Sequence, residues 1–405
     1  MQLSEQIEDL IAKGQGYLSE AIKLLIYQKA PEIFERLDFN DDYIFREPFL
    51  FAYFNNKTNQ IPLEQILYGY MEEGSRPEEL KVYAENQGVI FLPQIGYFIV
   101  PVNQQYLLLR YDNKKYHLYH QGVEVPYTFE PLLFIPGTPF EVHRYNSIVF
   151  HDYFKVWNDE KKDFEDPDDV EITRTTELHL SKIARAMQIL REHCPQQYEH
   201  YLQTTRRYVI FSNPRIRNFA VRDLHGTAFL SARPEHTEIF FMEEIIHQSS
   251  HNVFNAVTAK LPDHFRIDPE TPLKNFSNRE GEFRSIYSAH HGLYTVTTRL
   301  ICFDECVDVF EGETRYEIAA RLADLRRRFR NGMEKMNFEA VFTPLGYEVY
   351  DELDRCCAEL FTKRNYLIGR FDFSNQKAGF NFNIFLAQNS VQQIEEILQP
   401  LTQKA

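Results

Sequence analysis

Glu243-Glu244-Ile245-Ile246-His247-Gln248-Ser249-Ser250-His251 sets two histidines four residues apart in a helical context. Ile245, Ile246, Val253, Phe254 and Val257 recur at the spacing that buries one side of a helix. Residues four apart on a helix lie one above the other, so His247 and His251 share a face, and two imidazoles so placed can bind one ion. In hydrolases with the H-E-x-x-H pattern the residue after the first histidine is a glutamate that acts as general base. Here it is Gln248, and a neutral amide takes no proton from a metal-bound water. The pattern keeps a metal site and withdraws the usual hydrolytic base. Glu243, one turn before His247, is placed to orient its ring. A third ligand is expected from Ser288-Ala289-His290-His291-Gly292, either His291 or His290. Two other readings compete: a zinc hydrolase using Glu243 or Glu244 as base, and a non-catalytic peptide-binding protein on the same scaffold.

Outward from this stretch, the pattern divides. Residues 1–30 show helical spacing through Leu3, Ile7, Leu10 and Ile11, with Gly14 and Gly16 placed to break it in two. Residues 60–86 also read as helix. From Gly88 the runs become β-type: Val89-Ile90-Phe91-Leu92, Tyr97-Phe98-Ile99-Val100 and Tyr106 to Tyr111. Asp112-Asn113-Lys114-Lys115 reads as a hairpin turn and Tyr116 to His120 as the returning strand. Residues 158–170 are strongly acidic and read as a linker or exposed loop. Helical spacing then fills 175–203, 283–310 and 314–337. Short strands are expected around 208–211, 220–222, 226–231 and 367–371. The predicted fold class is α+β. Residues 1–157 form an N-terminal helical and antiparallel β region that helps hold substrate, and 171–405 a mainly α-helical metal-binding domain.

The chain has 405 residues, enough for two domains, and 43% of them are apolar, enough for substantial cores. Its net charge of −15, from 44 basic and 59 acidic side chains, argues against nucleic acid as a partner. Five cysteines (Cys194, Cys302, Cys306, Cys356 and Cys357) without C-x-x-C spacing read as reduced thiols. With no apolar run long enough to span a bilayer, the expectation is a cytoplasmic protein without a membrane partner.

Residues 205–350 resemble a known family. A strand-rich approach ends in His225-Gly226-Thr227-Ala228-Phe229-Leu230-Ser231. A helix with His247 and His251 follows, then a loop with Arg279 and Arg284, then His291-Gly292, then Phe342-Thr343-Pro344-Leu345-Gly346. This is similar to the H-E-x-x-H-type, iron- and 2-oxoglutarate-dependent peptide β-hydroxylases, with Gln248 in place of the motif glutamate and Ser277-Asn278-Arg279 in place of proline and tryptophan before arginine. The resemblance implies an oxygenase that takes Fe(II), 2-oxoglutarate and O₂ and hydroxylates a C–H of an amino-acid residue in a peptide or peptide-like substrate. It aligns His291 with the family's His-Gly. It leaves Gln248 as a neighbour of the ligands, because this chemistry needs ligands and open coordination positions rather than a base. The distal carboxylate of 2-oxoglutarate calls for a guanidinium, and Arg284, Arg299 and Arg279 are the candidates. Arg299 follows His291 by eight residues and on a continuous helix shares its face.

Overall fold

Asn113 and Lys114 take positive φ of 50° and 62°, the conformation a two-residue hairpin turn requires, and pair Asp112 with Lys115 across it. That hairpin belongs to one of two units in a computed structural model that describes residues 2–55, 60–167, 169–277, 281–376 and 379–399. One unit comprises residues 12–184 and 202–236; the other comprises 1–11, 185–201 and 237–405.

The first unit is β-rich. Its strands are β1 (Glu79–Ala84), β2 (Val89–Leu92), β3 (Gly96–Ile99), β4 (Gln105–Asp112), β5 (Lys115–His120), β6 (Val123–Val125), β7 (Thr128–Pro131), β8 (Leu133–Phe134), β9 (Glu141–Val142), β10 (Val156–Asn158), β11 (Asp163–Glu165), β12 (Arg207–Phe211) and β13 (Thr227–Ser231). One antiparallel sheet runs β1-β4-β5-β6 and another β2-β3-β7. The third runs β13-β12-β9-β8, with β12 parallel to both β9 and β13. A core of Phe45, Phe49, Ile90, Phe98, Phe150, Val209 and Phe229 fills this unit.

The parallel pairing of β9 with β12 explains why the division is not the linear one expected from the sequence. Parallel neighbours need a long crossover, and residues 202–236 return to complete a sheet begun at residue 133. The acidic stretch is likewise no plain linker. β11 within it pairs with β10 at its edge, Val156 opposite Glu165 and Asn158 opposite Asp163; Asp168 lies outside the described residues.

Other expectations need correcting. Within 60–86 the only α-helix among the described residues is Leu63–Leu67, and 79–84 is β1, whose Leu80 and Val82 are buried. The N-terminal segment does not break at its glycines. Glu5–Lys29 is one helix, because burying Ile7, Ile11, Ile22 and Ile26 outweighs the roughly 1 kcal/mol that each helical glycine costs. Residues 222–224 form a 3₁₀ turn, and so do 365–367, where a strand was expected nearby.

The second unit is helical. Glu238–Val257 starts at Thr237, whose hydroxyl accepts from the Phe240 amide at 3.1 Å. Ile286–Val307 starts at Ser285 in the same way, accepting from Ser288. These two helices carry the histidines and pack through small polar residues: Ser250 Oγ lies 2.8 Å from Thr298 Oγ1. Gly312–Arg328, Pro344–Lys363 and the shorter Val391–Leu398 belong to the same unit. The Phe342-to-Gly346 stretch is a docking device: Thr343 caps Pro344–Lys363 and its amide donates to the His264 carbonyl at 3.0 Å. A Cβ at Gly346 would lie 2.0 Å from that carbonyl oxygen, so only glycine permits the approach. The five cysteines are free and buried, with Cys194 Sγ 3.9 Å from Cys306 Sγ. Among the described residues no helix is long and apolar enough to cross a membrane.

Candidate metal centre

His247 and His251 follow one another up the same face of Glu238–Val257, with ring centroids 4.9 Å apart. His291, from Ile286–Val307, brings its ring to 4.0 Å from that of His251, nearly perpendicular at 78°. His251 Nδ1 faces the nitrogen edge of His291, in contact with Nε2 and 3.3 Å from Nδ1. All three are half-buried. The stacked ring of Phe254, 5.1 Å from His291, and Tyr287, 5.5 Å away, support the third ring.

His290 goes elsewhere. It is fully buried among Phe254, Phe342 and Phe265, at centroid distances of 5.0, 5.2 and 6.1 Å. Neither of its nitrogens has a hydrogen-bond partner among the described residues, and burial pushes its pKa down to about 3. Two consecutive histidines thus occupy opposite environments, because successive helix positions point about 100° apart.

The carboxylate beside His247 is Glu244, not Glu243. Glu244 Oε2 lies 3.6 Å from His247 Nδ1 and accepts from Gln248 Nε2 at 3.3 Å. Gln248 is buried, and its Oε1 has no partner among the described residues. Glu243, expected to orient the His247 ring, instead has both oxygens taken. Oε2 accepts from Arg321 Nη1 at 2.5 Å and Oε1 from Arg299 Nη1 at 3.2 Å. Burial works to raise the Glu243 pKa, but the two guanidinium charges outweigh it and hold the carboxyl below its ordinary value. Glu243 is therefore not available as a hydrolytic base.

Arg321 was missed in the sequence. It lies on Gly312–Arg328 and bonds Glu317 through Nε at 2.9 Å and Nη2 at 2.6 Å; Glu317 also accepts from the Thr237 cap at 2.9 Å. The signal was present: a Glu and an Arg four apart inside Glu317-Ile318-Ala319-Ala320-Arg321-Leu322-Ala323, an otherwise apolar run.

Of the candidate arginines, Arg299 lies closest to the histidines in effect. Its charge is among the causes that keep His251 neutral, behind burial and the neighbouring histidines. Its Nε donates to the Thr295 carbonyl and its Nη1 to Glu243, while Nη2 has no partner among the described residues. Arg284 reaches toward Gly292, where a Cβ would lie 3.8 Å from its Nη1, but its Nε and Nη2 form a fork with Glu282 at 2.9 and 2.7 Å. Arg279 lies outside the described residues.

The donors suit a borderline metal ion in kind: half-buried imidazoles from two rigid helices. Two nitrogens bound to one ion at metal–nitrogen distances of about 2.0–2.1 Å lie roughly 3 Å apart, and the 3.3 Å between His251 Nδ1 and His291 Nδ1 is of that size. As the side chains stand, no three His, Cys, Asp or Glu among the described residues surround a common point. Rotation of the rings about their side-chain bonds is needed to converge them. Comparison of the chain with protein-family models gives no match, and comparison with curated proteins gives none.

Proposed function

We propose that this chain is an Fe(II)- and 2-oxoglutarate-dependent oxygenase that hydroxylates a C–H bond of an amino-acid residue in a peptide or peptide-like substrate. The observation that carries the reading is the meeting of His247, His251 and His291 from two helices, with Arg299 on the face of the second. Iron held there supplies the O₂ chemistry that couples loss of CO₂ from the oxoacid to hydroxylation. The chain's own contributions are these. The three imidazoles hold the ion. Glu244 orients the His247 ring. Arg299 offers Nη2 to the distal carboxylate of the oxoacid, with Glu243 fixing its Nη1. Gln248 holds Glu244 in place and takes no part in proton transfer. The sequence resemblance over 205–350 supports the same reading.

Three imidazoles without a carboxylate are also a known ligand set for catalytic zinc. This favours a second reading, a zinc hydrolase in which Glu244 rather than Glu243 is the base. Anaerobic addition of Fe(II) and then 2-oxoglutarate to metal-free protein tests both. The oxygenase reading expects a visible metal-to-ligand charge-transfer band, lost in His291→Ala and His247→Ala and kept in His290→Ala. Tight zinc binding with no such band moves the assignment to the hydrolase. Failure to bind any metal defeats both and leaves a peptide-binding protein.

A further inference from the structure

The β-rich unit contains a cavity of about 310 Å³ that no part of the iron reading uses. Gln15, Tyr43, Arg46, Phe140, Arg206 and His225 line it. The volume lies at the lower end of the range for small-molecule sites, and the lining joins a few polar groups to aromatic walls.

The polar groups are unusual in what they lack. Arg46 is half-buried, and its one hydrogen bond goes from Nε to the Asp42 carbonyl at 3.3 Å. Burial pulls its pKa below the ordinary arginine value, with Asp42 and Asp41 opposing and Arg206 adding to the effect. Arg206 lies over Tyr43 at 4.0 Å and Tyr70 at 5.2 Å, and its buried Nη2 has no partner among the described residues. Its Nη1 and Nε pair at 3.5 Å with Glu47 and Glu141, which bind Arg207 more closely at 2.8 and 2.6 Å, so these four charges balance. Arg46 is the further positive charge at the cavity wall: it forms no ion pair among the described residues, and Asp42 is paired with Lys23 at 2.7 Å.

His225 adds an acceptor. Gln15 Nε2 donates to the Gln203 carbonyl at 2.9 Å, so Gln15 Oε1 is the atom that accepts from His225 Nε2 at 3.3 Å. The ring proton then sits on Nε2, and buried Nδ1 keeps a lone pair that meets no donor. Buried polar atoms of this kind are normally satisfied, and a ligand or water that reaches them would satisfy these.

We infer that this cavity binds a small organic oxyanion, a carboxylate or phosphate ester that also carries a hydrogen-bond donor. Its charged head meets Arg46 and Arg206, its donor meets His225 Nδ1, and its apolar body lies against Tyr43 and Phe140. The inference stands apart from the metal centre and does not depend on it.

Calorimetric titration of the full chain tests it, with four probes: inorganic phosphate, phenyl phosphate, mandelate and phenylacetate. The organic anions are expected to bind more tightly than inorganic phosphate. Mandelate is expected to bind about fivefold more tightly than phenylacetate, which lacks its hydroxyl. Arg46→Gln is expected to weaken binding by about tenfold or more, the loss of one charge-assisted contact. Leu202→Trp fills the cavity without altering a charge and is expected to abolish binding, which keeps the test alive if Arg46→Gln fails to fold. The inference is overturned if none of the four binds, if inorganic phosphate binds as tightly as the organic anions, or if Leu202→Trp binds as the unaltered chain does.

Discussion

Each unit buries a cluster of two carboxylates and two guanidinium groups, and the two clusters differ in what surrounds them. In the β-rich unit Arg207 is fully buried. It bonds Glu141 from β9 through Nε and Nη2, and Glu47 through Nη1, while Tyr70 donates to Glu47 at 2.7 Å. The cluster fixes a parallel strand pair, and Arg207 has no atom facing water. In the helical unit Glu243, Glu317, Arg299 and Arg321 form a cluster of the same composition. There Arg299 keeps 12% of its side chain exposed, and its Nη2 has no partner among the described residues. In the first cluster Arg207 is closed off, while Arg206 at its edge keeps a buried Nη2 without a partner among the described residues. In the second, the charge of Arg299 acts on His251. Composition, burial and a spare donor are common to both; what separates them is the neighbours, since only the second lies beside a group of imidazoles.

The sharpest way to break that contrast is to remove one partner from each. Arg207→Leu leaves two buried carboxylates with only the more distant Arg206, at 3.5 Å, and is expected to destabilise the β-rich unit by about 3–5 kcal/mol, measured by urea denaturation followed through Trp157. Glu243→Gln leaves Arg321 with Glu317 and removes the carboxylate partner of Arg299. Because Arg299 can turn toward solvent, the expected cost is smaller, about 2–3 kcal/mol, read from far-ultraviolet circular dichroism. Equal costs would mean that the helical cluster is as closed as the other.

Acid probes the β-rich unit by another route. Burial, assisted by Arg46 and Arg222, pushes the His225 pKa from 6.5 down to about 3. Below pH 6.5 the unfolded chain takes up a proton that the folded chain refuses. The contribution is therefore full above that pH and declines as pH falls toward 3. Between pH 7 and pH 5 the loss from this one group is about 2 kcal/mol. His225→Gln removes the titration, so denaturation at the two pH values should show that much less acid sensitivity. An unchanged pH dependence would show that His225 does not stay neutral in the fold.

The smallest effect is expected at His290. Its unpartnered nitrogens gain nothing from the aromatic pocket around it. His290→Leu should change stability by no more than about 1 kcal/mol, with iron affinity in the anaerobic titration unaltered. A loss of metal binding in that variant would place the third ligand at His290 instead of His291.

Much of this molecule was legible in short-range pattern. The alternation of Tyr106 to Tyr111 and the turn at Asn113-Lys114 give β4 and β5 in register. The spacing of His247 and His251 gives a shared helix face. What failed did so where distant chain decided the outcome. β1 was hidden because its alternation is short and follows a helix-like stretch. The glycines of Glu5–Lys29 suggested a break that burial overrides. The acidic stretch is exposed, as its charges suggest, but β11 within it pairs with β10 at its edge, which its composition did not reveal.

The sequence by itself determined which residues share a face, because helix and strand periods are properties of the local backbone. It determined that Gln248 cannot be a base, because that is a matter of its chemistry. Only the tertiary structure decided which face met which. It put His291 against His251 and His290 into an aromatic pocket. It gave Glu243 to two arginines and left Glu244 to His247. It carried residues 202–236 back to a sheet begun some seventy residues earlier. Each of these depends on elements distant in sequence coming together to bury apolar surface, and no local period encodes which of them will meet.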